Sequence, residues 1–106
     1  MTTKFRIIYM STGSEEEAEA IAQVLVSEEL AACVNIFNGM TSIYRWKGEL
    51  QHDSETVMIA KTTVDNLDAL IQRVKKLHSY DCRCVVSLPI EGGNEEFLKW
   101  ISNEVK

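Results

Sequence analysis

Residues 4–11 carry a period of two, with Phe5, Ile7 and Tyr9 on one side and Arg6, Ile8 and Met10 on the other, which predicts a strand. The period then changes. Ser14-Glu15-Glu16-Glu17 reads as a capping box, and Ala18, Ile21, Ala22 and Leu25 follow at offsets of three, four and seven, so a helix is expected to about Glu29. Cys33 to Phe37 reads as a second strand. Asn38-Gly39 interrupts it as a turn or bulge, and Thr41 to Trp46 continues it. Ser54 to Thr62 is a further strand with Val57, Met58, Ile59 and Ala60 at its apolar centre. Leu67, Leu70, Ile71, Val74 and Leu77 keep one stripe over three turns of a second helix. Val85 to Ile90 forms the last main strand, and Pro89 within it signals an edge or a strand end. Gly92-Gly93-Asn94 turns the chain into a C-terminal helix with Phe97, Leu98, Ile101 and Val105 inward.

The resulting order, β-α-β-β-α-β plus a helix, predicts an α+β, ferredoxin-like sandwich of residues 1–106 as one domain: a mostly antiparallel sheet with helices on one face. One segment does not fit inside so small a core. In Ser42-Ile43-Tyr44-Arg45-Trp46-Lys47-Gly48-Glu49, Tyr44 and Trp46 sit two apart and so share a face, next to a Lys-Gly-Glu reversal. A long hairpin from Thr41 to Thr62 with this aromatic stripe is expected to extend a neighbour's sheet, with Tyr44 and Trp46 at the subunit interface. The competing reading packs them within one chain against Phe97 and Trp100.

Composition narrows the functional classes. The 106 residues are 45% hydrophobic and 25% charged, ordinary globular values, with no apolar run long enough for a membrane span. Net charge is −5, so the basic footprint of nucleic-acid binding is missing. Arg73-Val74-Lys75-Lys76 falls in the last turns of a helix, where cations complement its dipole. Three cysteines, Cys33, Cys82 and Cys84, argue against a disulfide framework, and an N-terminus without an apolar stretch argues for a cytoplasmic protein.

Six strings occur in order: Ala31-Ala32-Cys33-Val34-Asn35, Ser42-Ile43-Tyr44-Arg45-Trp46-Lys47-Gly48, Lys61-Thr62-Thr63, Leu77-His78-Ser79-Tyr80, Ser87-Leu88-Pro89-Ile90 and Phe97-Leu98-Lys99-Trp100-Ile101. Together they resemble the CutA family of divalent-cation tolerance proteins over nearly the whole chain. The resemblance implies a ferredoxin-like subunit in a tight homotrimer similar to PII-type signalling proteins, with copper binding and no organic cofactor. The family name records a tolerance phenotype and not a reaction. Where members commonly read His-Pro-Tyr-Glu-x-Pro-Glu, this chain reads His78-Ser79-Tyr80-Asp81-Cys82-Arg83-Cys84, so Cys84 replaces a glutamate. Some members place a cysteine near the end of the first strand and two histidines after the second helix. Here those positions hold Met10, Leu77 and His78.

These residues suggest two kinds of site. In this topology the end of the first strand lies beside the start of the last, which brings Met10 toward Cys84, with His78 on the approach. Met, thiolate and imidazole are soft or borderline donors suited to copper(I) or zinc, so Met10, His78 and Cys84 form a candidate metal set. Cys82 shares a face with Cys84 only if both are in the strand. The bland alternative makes Met10 core, Cys84 a small buried residue and His78 a helix cap. By the family resemblance, Lys61, Tyr80 and Trp46, with His78, are expected to meet at a subunit boundary as a pocket for a small anionic ligand. Asp81 or Glu55 would then partner Lys61, unless Lys61 makes an intersubunit ion pair. That pocket describes a PII-like or ACT-like sensor; a trimeric scaffold is the remaining alternative. Catalysis is not expected. The loop Ser11-Thr12-Gly13-Ser14 has no arginine to cradle phosphate and no Gly-Lys-Ser/Thr after it, and His52 and Asp53 have no nucleophile in company.

Overall fold

A computed structural model describes residues 4–80 and 84–106. The elements are β1 (Phe5–Thr12), α1 (Glu15–Ser27), β2 (Cys33–Trp46), β3 (Glu49–Thr63), a short 3-10 turn (Val64–Asn66), α2 (Leu67–Leu77), β4 (Val85–Ile90) and α3 (Glu95–Glu104). Four strands form one sheet in the order β2-β3-β1-β4, and every neighbouring pair is antiparallel. This is the expected mixed arrangement of two interleaved split β-α-β units. Pro89 lies on β4, which is an edge strand, the place in a sheet where proline is tolerated.

The core forms where the two periods meet. Ile8 and Met10 of β1 and Met58 and Ala60 of β3 project to one side, and Ala18, Ile21 and Leu25 of α1 and Leu70 and Val74 of α2 close over them. Ser14 caps α1 by accepting the Glu17 N–H at 3.1 Å. The reciprocal arm of the capping box is diverted, since the Glu17 carboxylate accepts the Ser79 N–H at 2.7 Å and ties α1 to the segment after α2. A smaller cluster of Ala32, Ile101 and Val105 packs with Leu98 and Phe5, whose side chain leaves β1 on the face opposite Ile8.

Two details differ from the sequence reading. Phe97 is not inward: it is 44% exposed and stacks on Trp100 at 5.5 Å, because only Leu98, Ile101 and Val105 follow the stripe facing Phe5. β3 begins at Glu49 and not at Ser54, since the ladder zips from the turn through polar residues as readily as through apolar ones. Lys47 (φ 50°) and Gly48 (φ 81°) are both left-handed, the signature of the two-residue turn whose twist matches a hairpin.

The bulge at Asn38-Gly39 decides which face the outer half of β2 presents. Phe37 pairs with Val57 but Met40 pairs with Glu55, so β2 uses one residue more than β3, and Gly39 takes φ 75°. Side chains at 33, 35 and 37 share the open face of the sheet, the one turned away from α1 and α2. Beyond the bulge that face passes to Met40, Ser42, Tyr44 and Trp46, the partners of Glu55, Asp53, Gln51 and Glu49. β1 pairs with β3 only from Thr56 onward, so the outer hairpin is a two-stranded arm.

Candidate functional site

The open face holds a cleft of about 790 Å³ where the arm leaves the body of the sheet. Tyr9 and Ser11 form its floor on β1, Met40, Ser42, Tyr44 and Trp46 one wall on β2, Asp53 and Glu55 the adjoining strand, and Tyr80 and Cys84 the far rim. Its aromatic hydroxyls are fixed by hydrogen bonds. Tyr44 donates to Asp53 Oδ2 at 2.5 Å, Tyr80 to Glu55 Oε2 at 3.0 Å, and Tyr9 to the Met40 sulfur at 3.3 Å. Burial, reinforced by the Glu55 bond and charge, pushes the Tyr80 hydroxyl up to about 12. The bond to Asp53 raises Tyr44 as well. Both phenols therefore remain neutral donors at physiological pH.

The rim is built by the segment after α2. The buried His78 ring places Nε2 2.6 Å from the Ser11 carbonyl, while Nδ1 accepts the Tyr80 N–H at 3.1 Å. An accepting Nδ1 leaves the ring proton on Nε2, so Nε2 donates to Ser11. The imidazole thus pins the rim to β1, and Tyr80 packs against it with ring centres 4.8 Å apart. Burial pushes the Glu17 carboxyl up, but the bonds from Ser79 and Gly13 outweigh it, so the group sits below its ordinary value.

The predicted residues are divided among these places. Met10 is fully buried in the core, as is fitting for a residue that pairs with Val85, itself packed against that core. Cys84, one position earlier, lines the cleft on the opposite face. Both ring nitrogens of His78 are engaged. Met10, His78 and Cys84 therefore do not fit one ion within one chain. Among the described residues no three His, Cys, Asp or Glu side chains gather closely enough to hold a metal. Asp81 and Cys82 lie outside the described residues. Of the expected ligand pocket, Tyr80 and Trp46 do share the cleft, together with the Tyr44 expected at the interface. Lys61 is not among the lining residues; it pairs with Ile7 and Cys33 toward the other end of β3, and its ammonium donates to Asn35 Oδ1 at 2.5 Å. Tyr44 and Trp46 are 40% and 42% exposed, not packed against α3. Tyr9 and Met40 escaped the sequence reading. The alternation of β1 carried the signal for Tyr9, whereas Met40 reaches the cleft only because of the one-residue bulge.

Comparison with known proteins adds the family. Residues 6–104 match the model of the CutA1 divalent ion tolerance protein. The chain belongs to the CutA1 family. It is similar to the divalent-cation tolerance protein CutA of Thermus thermophilus, at 48% identity over 90% of this chain and 92% of that one. The chloroplastic CutA 1 of rice is 42% identical over 94% of this chain, which spans 56% of that longer relative. A solved structure of the Thermus thermophilus protein superposes with a TM-score of 0.94 at 45% identity, covering 96% of this chain and 99% of that one. CutA1 family names speak of ion tolerance and specify no reaction, and the general role of this chain is divalent-cation tolerance.

Proposed function

We propose that this chain serves divalent-cation tolerance as a non-enzymatic homotrimer of ferredoxin-like subunits in the cytoplasm, taking up copper or another divalent ion with donors drawn from more than one subunit. The observation that carries this reading is the bare arm. An isolated two-stranded hairpin is marginal in water, yet the arm bears Ile43, Tyr44, Trp46 and Leu50, all exposed. The open face adds Phe37, Val86 and Leu88, also exposed. Copies of the same chain covering one another's arms would bury these side chains and protect the β2 and β4 edges. The ion is assigned across a boundary because Met10 is sealed in the core, while the soft donors Cys84 and Met40 face the cleft. Free Cys33 and Cys84 accord with a reducing compartment.

The test is a competitive copper(I) titration of reduced, metal-free protein, with assembly mass read on the same sample. Trimer mass and stoichiometric binding that disappears in Cys84→Ser are expected. A monomer at low micromolar concentration, or copper held no better than the competitor holds it, sinks the corresponding half. The cleft is large enough for a small organic molecule, but its two carboxylates and the position of Lys61 outside it give no support to the anionic-ligand sensor.

A further inference from the structure

The open face of the sheet carries opposite charge on its two halves. On the body, β1, β3, β4 and the inner part of β2 turn Ile7, Tyr9, Ile59, Phe37, Val86 and Leu88 to that side. Among the described residues, Lys61 is the one charged side chain that these strands place there. Lys4 adds a second cation at the Phe5 end, with its ammonium 5.7 Å from the ring centre. The arm is the reverse. Glu49, Asp53 and Glu55 share the face of Tyr44 and Trp46, while Arg45 and His52 alternate to the other side. The turn contributes one cation, Lys47, whose ammonium lies 5.9 Å from the Trp46 ring centre, so the arm face keeps a negative balance.

Lys61 is half-buried, and its ammonium donates to the neutral Asn35 Oδ1. A lysine that loses its water to a covering subunit needs a counter-charge, which an amide cannot supply. Body against body would set Lys61 against Lys61, and arm against arm would set carboxylates against carboxylates. Arm on body brings opposite signs together. We propose, resting on the assembly reading above, that the arm of one copy lies across the body strands of the next, with its Glu49 meeting the neighbour's Lys61. Asp53 and Glu55 are already held by Tyr44 and Tyr80, whereas the exposed Glu49 carboxylate has no hydrogen bond or ion pair among the described residues. Glu49 also stands opposite Trp46 at the far end of the arm. One contact therefore delivers a carboxylate and an indole face together, both of which suit an ammonium. It joins two different patches of the chain, so it can be passed from copy to copy around a ring, as a homotrimer needs.

Sedimentation of the full chain over a dilution series tests the pairing by exchanging the charges. Lys61→Glu and Glu49→Lys are each expected to raise the concentration at which the assembly dissociates by about tenfold or more. The double variant Lys61→Glu/Glu49→Lys restores opposite signs and is expected to recover most of that loss. If Lys61→Glu impairs folding, Lys61→Gln takes its place: in that background Glu49→Lys should lose most of its effect, because no cation remains for it to repel. A parent assembly that neither charge reversal loosens overturns the pairing and leaves the assembly reading standing. So does a double variant as weak as the two single losses added together. A parent chain that is monomeric at low micromolar concentration overturns both.

Discussion

The two faces of one sheet are finished differently. On the helix side, Ile8, Met10, Met58 and Ala60 meet α1 and α2, and every large side chain in that layer has an intramolecular partner. On the other side, Phe37, Tyr44, Trp46, Val86 and Leu88 stay between 40% and 54% exposed although the strands beneath them are the same. The alternation of a strand gives both faces equal access to apolar residues, so the difference lies in what the rest of the chain supplies. Two helices suffice for one face, and α3 reaches only the Phe5 end of the other. The part left open is a surface with chemistry on it: hydroxyl–carboxylate pairs, a thiol and an aromatic stripe. Packing is concentrated on the first face, and exposed aromatic and polar side chains on the second.

Substitutions can break that division. The largest effect on stability is expected from Met10→Ala, which empties a fully buried position and should cost about 2–5 kcal/mol in urea unfolding. The loss should be the same with chelator present, because the side chain acts as core. A loss that appears only with metal bound would return Met10 to the ligand set. Trp46→Ala is expected to leave the fold of each subunit intact and weaken assembly by about 2 kcal/mol or more, seen as a lighter species at low micromolar concentration. An unchanged assembly would remove Trp46 from the interface and undo the contrast between the faces.

Much of the first face was legible because its signals are periodic. The stripe of Leu70 and Val74, the Ser14 cap and the strand carrying Ile8 and Met10 each follow from spacing, and each is where spacing puts it. The second face was only half legible. The aromatic stripe of Tyr44 and Trp46 could be read, but the side of the sheet it occupies depends on one extra residue at Asn38-Gly39. The soft-donor set of Met10, His78 and Cys84 came from proximity along the sheet. Strand β4 does lie beside β1, but proximity in register does not fix the face: Val85 opposes Met10, so Cys84 points away. Glu55 is the least legible, since its partner Tyr80 is 25 residues away and belongs to a loop without period. Phe97 shows the converse limit. Hydrophobicity assigned it inward, but a ten-residue helix packing against a single cluster buries only one narrow stripe.

The smallest expected effect sharpens the comparison most finely, because it touches only the rim joining the two faces. Tyr80 has its hydroxyl raised to about 12 from an ordinary 10.0. The folded state therefore holds this proton more tightly than the unfolded chain. The associated stability is complete below pH 10 and is lost as pH rises toward 12. Tyrosinate absorbance should show a last phase near pH 12 whose amplitude falls in Tyr80→Phe and which moves earlier in Glu55→Gln. The same Tyr80→Phe protein should lose less stability than the parent across that interval. If the last phase survives Tyr80→Phe, the Tyr80–Glu55 bond is not what closes the rim. The His78 contact to the Ser11 carbonyl would then be left to hold the segment against β1 by itself.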